Sequence, residues 1–376
     1  MIIVKVAIIL TSLYSVIVNS YRIHSDPQNI QPADSTVILT HVLFRHGNRT
    51  AELSETYPKD PYRNFTYFPI GRGQLTNAGK LREYQIGKDL RRRYDKFLGP
   101  VYYPEVVDAV TTNKNRTKAS LELVLASLFR PKYTDVWNWA LGWQPVPYNY
   151  YPVDHDPVLM GINCPRYQAL YKELVNSPKW KATFKKYQKD FDYISKNTGL
   201  NVTSFKEVYD MYFGLSTEEE YGQELPPWTH SVWPKVIVDL SIKQYYVETG
   251  TTEMAKLAEG FHLKKIIEDT KTKAKKREKN GVKMYLYSAH ENNVGEMMVL
   301  LDVFKNPHVP PYGAYLIFEV HNINNVIGIK LYYNNWTTDS LQLLKLPGCE
   351  EFCPLDKFES IFEEYLPSST DLCYNV

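Results

Sequence analysis

The chain has 376 residues, 44% of them hydrophobic and 23% charged, with 44 Lys plus Arg against 42 Asp plus Glu. That composition suits one large or two smaller globular domains, long enough to bury a core without a metal or a disulfide framework. The 18 Gly and 23 Pro follow no period, which excludes a collagen-like or low-complexity chain, and a net charge of +2 excludes the strongly basic balance of a nucleic-acid-binding domain, so an anionic partner has to be met locally.

Residues 1–20 differ from the rest. Lys5 precedes apolar runs at 6–10 and 13–18, closed by Asn19 and Ser20 before Tyr21, which predicts a secretory signal peptide. Thr11, Ser12 and Ser15 make this core too short and polar for a membrane anchor, and no other segment has the length of a span, so the mature protein is expected to be secreted and free of the membrane.

The apolar run 37–44 predicts a strand that stops at Arg45, His46 and Gly47. After a loop rich in Pro, Tyr and Gly, Thr76 is placed to cap a helix whose inward residues would include Leu81, Ile86, Leu90 and Tyr94. Residues 106–111 read as a second strand, and Leu121, Val124, Leu125 and Leu128 as the stripe of a second helix. The stretch 137–157 is rich in Pro and aromatics, and 166–269 carries helical periods with Lys-rich faces, which predicts a helical insertion capping a sheet. Lys271, Lys273, Lys275, Lys276, Arg277 and Lys279 read as the solvated end of a helix rather than an anion-docking patch. Residues 284–287 predict a strand running into His290, followed by a helix packed through Val294, Met297, Met298 and Leu301. Segments 315–321 and 326–333 read as a hairpin around 322–325. Strands alternating with helices predict an α/β sheet, divided as a core of 34–137 with 270–376 and a mainly helical cap of 138–269.

The four cysteines, Cys164, Cys349, Cys353 and Cys373, suit an oxidising compartment. An even number permits three pairings; Cys349 and Cys353 are close enough for a local bridge, which leaves Cys164 with Cys373. A zinc site would need a second short-spaced pair. Sequons at Asn64, Asn201 and Asn335 are expected on the surface as glycosylation sites.

Chemistry gathers at the C-terminal ends of the expected strands, where open α/β sheets bind ligands. The first strand delivers Arg45, His46 and Arg49, the second delivers Thr111, Thr112, Asn113 and then Arg116, and the late strand delivers His290 and Glu291. Three arginines and two histidines at strand-to-helix turns suit a compact multivalent anion, because guanidinium forks match phosphate oxygens in pairs and helix N-termini add partial positive charge. Other chemistries fit worse: Val294 stands where a zincin motif starting at His290 needs its second histidine, and the Gly71, Gly73 pair follows no strand and runs on to Thr76.

These motifs resemble those of the histidine acid phosphatases. The segment RHGNR at 45–49 is similar to their nucleophile motif, TTNKNRT at 111–117 to their second arginine motif, and His290 with Glu291 to their late histidine and acid. The likeness extends to QLTNAG at 74–79, and YPKDPY at 57–62 with LPGCEEFCPL at 346–355 is similar to the insect venom branch. The resemblance implies a phosphoglycerate-mutase-like mixed sheet flanked by helices, an inserted cap, no metal or other cofactor, and phosphomonoesterase activity in acid. It implies His46 as the nucleophile that becomes phosphohistidine, Arg45, Arg49, Arg116 and His290 as phosphate ligands, and Glu291 as the proton donor. Members of that family are often dimers, so the resemblance allows a homodimer, and the expected signal peptide favours an extracellular setting such as venom or saliva over the lysosome. Neighbouring guanidiniums would keep His46 neutral in acid while Glu291 or its neighbours stay partly protonated. The sequons at Asn48 and Asn115 would put a sugar beside the arginines and are expected to be unused.

Three positions depart from the family pattern. Thr50 replaces a Pro, which should loosen the turn; Asn113 replaces an Asp that could orient Arg116; Glu291 replaces the commoner Asp on a longer arm. They motivate a second expectation, a catalytically impaired binding homologue. A third is a phytase-like enzyme for polyphosphorylated inositol, with Arg63, Arg166 and Lys172 as extra cations.

Overall fold

Along the first strand, Val42 and Phe44 pack on one face and Leu43 on the other, and all three are fully buried, as a strand covered on both sides requires. The computed structural model describes residues 29–276, 281–338 and 340–374, so the expected signal peptide lies outside the described residues. Its strands are β1 (Val37–Arg45), β2 (Val107–Thr111), β3 (Asn149–Tyr150), β4 (Met284–Ala289), β5 (Tyr315–Ile323), β6 (Val326–Asn334), β7 (Gln342–Leu344) and β8 (Cys353–Pro354). They form one mixed sheet in the order β3-β2-β4-β1-β5-β6-β7, with β8 also on β6. β3, β2, β4 and β1 run parallel, and the later strands pair antiparallel.

The parallel register places the site. Arg45 pairs with Ala289 and Thr111 with Ser288, so His46, Thr112 and His290 leave the sheet side by side at one edge. One face is covered by α1 (Asn77–Leu98) and α2 (Asn115–Leu128) through Ile86, Leu90, Tyr94, Leu121 and Val124. The cap helices α3 (Pro165–Asn176), α4 (Pro178–Lys185), α5 (Gln188–Thr198), α6 (Phe205–Glu220) and α7 (Lys235–Glu248) share a second core around Phe184, Phe191, Phe205, Val208 and Leu240. α8 (Thr252–Ala255) continues through a π turn, Lys256–Gly260, into α9 (Phe261–Lys276). α9, α10 (Glu291–Leu300) and α11 (Leu355–Phe362) cover the other face, and Tyr209 and Phe213 of α6 join that core, which ties the cap to the sheet.

The α/β expectation holds, with corrections of detail. Leu81 is 52% exposed rather than inward, because five residues before Ile86 is well off the face that Ile86, Leu90 and Tyr94 share. Edge strand β3 falls inside the stretch expected as cap, and α9 already packs Ile266 and Ile267 with Leu43 of β1, so sheet-core contacts extend past both expected boundaries. Thr76 caps α1, its hydroxyl accepting from Gly79 N at 3.2 Å. The hairpin turns on Asn324 and Asn325, at φ of 52° and 65°, the left-handed pair of a tight primed turn. Of the lysine run, Lys271 pairs with Glu359 of α11, and residues 277–280 lie outside the described residues. No helix among the described residues is long and apolar enough to cross a membrane.

Both expected disulfides are present. Cys164–Cys373 joins residues 209 apart, for which chain entropy gives about 5 kcal/mol, against about 2 kcal/mol for the four-residue separation of Cys349–Cys353. Replacing Cys164 and Cys373 together by Ser should therefore lower the melting temperature more than replacing Cys349 and Cys353. Equal losses in thermal melts would contradict the entropic account.

Candidate active site

The loop after β1 crosses the first turn of α1 at two glycines. A Cβ on Gly47 would lie 2.5 Å from Gly79 O, and one on Gly79 would lie 2.1 Å from Asn48 O, so neither position accepts a side chain without moving the backbone. Thr76 N donates to Asn48 O at 2.9 Å and Gly47 N to Ser120 Oγ at 3.2 Å, which fixes the loop to both helices. Thr50 tightens this turn rather than loosening it. Its N–H donates to Gln74 O at 3.0 Å, a bond a proline could not make, and its hydroxyl donates to Gly71 O at 2.7 Å.

His46 is fully buried. Its Nδ1–H donates to Gly47 O at 2.9 Å, which leaves Nε2 as the ring's lone-pair atom, and Arg116 Nε donates to that atom at 3.0 Å. Burial first, then the charges of Arg116, Arg45 and Arg49 with the neighbouring His290, push the His46 pKa well below 6.5. The ring is neutral in acid, and burial contributes more to this than any single guanidinium.

Each arginine is held by an acid. Arg45 Nε lies 3.3 Å from Glu291 Oε2, its Nη1 donates to Pro310 O at 2.7 Å, and its guanidinium stands 3.9 Å over the Tyr312 ring. Arg49 makes a two-pronged pair with Glu55. Arg116 Nη1 donates to Glu52 Oε1 at 2.6 Å. Among the described residues, Arg45 Nη2 and Arg49 Nε are buried donors with no protein acceptor, and both guanidiniums look onto the Phe213 ring. Buried donors are seldom left so, and a tetrahedral oxyanion is the kind of group that satisfies them.

His290 ends β4 and leads into α10, its ring 5.5 Å from that of His46. Its Nε2 hydrogen-bonds Thr112 Oγ1 at 3.0 Å, and that hydroxyl bonds Thr117 Oγ1 at 2.8 Å, which in turn donates to Lys114 O at 2.9 Å. This chain turns the neutral ring's N–H toward Thr112, so a second donor exists only when the ring is protonated. Burial and then Arg116 keep its pKa well below 6.5. Glu291 accepts from Tyr209 OH at 3.1 Å. Burial alone would raise its carboxyl, but Arg45, with His290 and Arg49 behind it, holds it down at about 2. That corrects the expected partly protonated donor: with the pocket free, Glu291 is a carboxylate at pH 5.

The fold thus brings Arg45, His46, Arg49, Arg116, His290 and Glu291 into one pocket. Among the described residues no hydrogen bond or ion pair joins Arg63, Arg166 or Lys172 to these six: Arg166 pairs with Glu253 at 2.8 Å, Arg63 donates to Thr56 Oγ1 at 3.1 Å, and Lys172 is an exposed residue of α3. Asn113 accepts from Lys118 at 2.6 Å and does not orient Arg116, a task taken by Glu52. Sequence reasoning missed Glu52, Glu55, Thr112, Tyr209 and Tyr312. Two acids three apart just after RHGNRT were a readable signal for the first two, while the tyrosines carried none. Ligand atoms of His46, His290 and Glu291 lie within 4.8 Å of one another, near enough to share a metal ion, but three guanidiniums around them favour an anion.

Residues 36–334 match the family model described as histidine phosphatase superfamily (branch 2). The chain is 36% identical over 334 residues to the venom acid phosphatase of Apis mellifera, covering 88% of this chain and 86% of that one. It is 31% identical over 333 residues to the lysosomal acid phosphatase of Homo sapiens, covering 87% and 77%. Among solved structures it is similar to the phytase from Citrobacter braakii, with a TM-score of 0.64 at 17% identity and coverage of 91% and 100%, a likeness of fold. The expectation drawn from the motifs agrees with these findings: the chain belongs to the histidine phosphatase superfamily, branch 2, and its relatives are acid phosphatases.

Proposed function

We propose that this chain is a secreted acid phosphatase that hydrolyses phosphate monoesters through a phosphohistidine on His46. The observation that carries this is the fixed ring: Nδ1–H is tied to Gly47 O, so a neutral Nε2 lone pair faces the three guanidiniums. Nε2 attacks phosphorus, the N–P bond forms as the bond to the leaving oxygen breaks, and the alcohol departs with a proton. Arg45, Arg49 and Arg116 hold the nonbridging oxygens, satisfying Arg45 Nη2 and Arg49 Nε.

The proton enters with the substrate. A phosphate monoester has its second pKa near 6, so at pH 5 it arrives carrying one proton. Its negative charge offsets the arginines, so that one proton can rest on Glu291, which passes it to the leaving oxygen while His290 stays neutral. In the second displacement Glu291 takes a proton from the attacking water, the N–P bond breaks, and inorganic phosphate leaves with His46 neutral again.

Carboxylates beside the arginines, Glu52, Glu55 and Glu220, the last accepting from Asn48 Nδ2 at 2.9 Å, favour a single phosphate group over a polyphosphorylated inositol. The impaired-binder reading loses support because Thr50 ties the turn, Glu52 orients Arg116 and Glu291 reaches Arg45. Glycans are proposed at the exposed Asn64 and Asn201 and at the half-buried Asn335, with Asn48 unused because its amide is engaged by Glu220. Asn115 is exposed, so only its place beside Arg116 argues against a sugar there. A homodimer would use the β3 edge, flanked by exposed Trp137, Trp139 and Tyr151.

Phosphate release at pH 5 is expected from an aryl phosphate, weakly from phytate, and from neither with His46→Ala; no release by the wild type from either ester would sink the enzyme reading. Because burial and Arg116 lower His46 and Arg45 lowers Glu291, neither group loses its working form between pH 7 and 4, and kcat/KM should fall only above about pH 6 with the substrate's second ionisation. Glu291→Gln should cost on the order of 100-fold on an alkyl phosphate and far less on p-nitrophenyl phosphate, whose leaving group needs no proton, while keeping that alkaline limb. Loss of the limb in the variant would assign the titration to Glu291 itself.

A further inference from the structure

Glu259 is fully buried in the π turn Lys256–Gly260, where neither α8 nor α9 needs an acid. A π turn adds one residue to a helical turn and re-aims the side chains around it, and such turns concentrate at functional sites. Gly260 seats this turn, since a Cβ there would lie 2.1 Å from Tyr365 O, and Glu259 reaches α10. Its Oε1 accepts from Asn293 Nδ2 at 2.7 Å, and its Oε2 hydrogen-bonds His262 Nδ1 at 3.2 Å. Asn293 Nδ2 also donates to Leu159 O at 3.0 Å, while Asn293 Oδ1 accepts the backbone N–H of His290 at 3.1 Å.

A cap of the His290 N–H alone would need only Asn293. Tying that amide to a buried acid on another helix is costly, because a well-packed apolar residue in place of Glu259 would carry no desolvation penalty. What the tie adds is orientation: with Nδ2 held on two acceptors, Oδ1 has one direction, and the corner from which His290 and Glu291 both spring is fixed relative to the cap. Burial raises the Glu259 carboxyl and lowers His262 to about 3, so the pair is neutral in acid and the tie persists where the phosphatase works.

We propose that Asn293, anchored by Glu259, is the positioning residue that sets His290 and Glu291 against the phosphate pocket. This rests on the phosphatase reading above. The test measures turnover of an alkyl phosphate, whose leaving group needs the Glu291 proton, at pH 5 and the melting temperature for the full chain and for Asn293→Ala, Glu259→Leu and Glu259→Gln. Asn293→Ala and Glu259→Leu should lower kcat on the order of 10- to 100-fold with KM within about threefold, while Glu259→Gln, which keeps a carbonyl oxygen for Asn293, stays near wild type. Glu259→Leu leaves buried His262 Nδ1 without its partner and should melt lower than wild type, so turnover is compared at a temperature where every variant is fully folded, and a loss there separates positioning from folding. Unchanged kcat in folded Asn293→Ala and Glu259→Leu beside an active wild type overturns this inference alone. An inactive wild type takes down the phosphatase reading, and this inference with it.

Discussion

Three guanidiniums in one pocket, Arg45 and Arg49 buried and Arg116 mostly so, are the constraint on which the structure turns. Burying a charge is costly unless it is paired, and Arg45, Arg49 and Arg116 are paired with Glu291, Glu55 and Glu52 respectively. None of these pairs uses every donor. Among the described residues Arg45 Nη2 and Arg49 Nε find no partner, so the acids hold the arginines in place without neutralising their reach toward an oxyanion. A net charge of only +2 is therefore compatible with the proposed phosphate recognition, because the positive charge is concentrated.

The same charges decide the state of the histidines. A neutral imidazole is a nucleophile and an imidazolium is not, so an enzyme working below pH 6.5 has to hold its ring unprotonated. Burial and the guanidiniums do this for His46, and the Gly47 carbonyl selects which nitrogen carries the hydrogen. Glu291 responds to the same field in the opposite sense and is held as a carboxylate, which in the proposed mechanism the substrate reverses by bringing negative charge and a proton. Acid preference then belongs to the enzyme and its ester together.

Much of this was legible in the sequence because strand ends carry chemistry. The run 37–44 leads directly into Arg45 and His46, 106–111 ends in Thr111, and 284–287 leads on to His290; parallel register does the rest by setting Arg45 beside Ala289 and Thr111 beside Ser288. What stayed hidden depended on three-dimensional approach. Tyr209 reaches Glu291 from α6 across 82 residues of sequence, and Glu259 reaches Asn293 from a π turn, a local geometry that no hydrophobic period announces. Leu81 misled because one apolar residue off the stripe looks the same in sequence as one on it. Thr50 misled because its family resemblance concerned the proline it lacks, not the two hydrogen bonds it makes.

The central claim is that His46 remains neutral, with its proton on Nδ1, at the pH where the enzyme works. Histidine-ring nitrogen NMR of the free protein, with His46→Ala to assign the signals, tests it directly between pH 7 and 4. The account predicts a His46 ring that keeps the Nδ1–H form throughout this range, with an unprotonated Nε2. A ring that titrates to imidazolium near pH 6.5, or that carries its proton on Nε2, contradicts it.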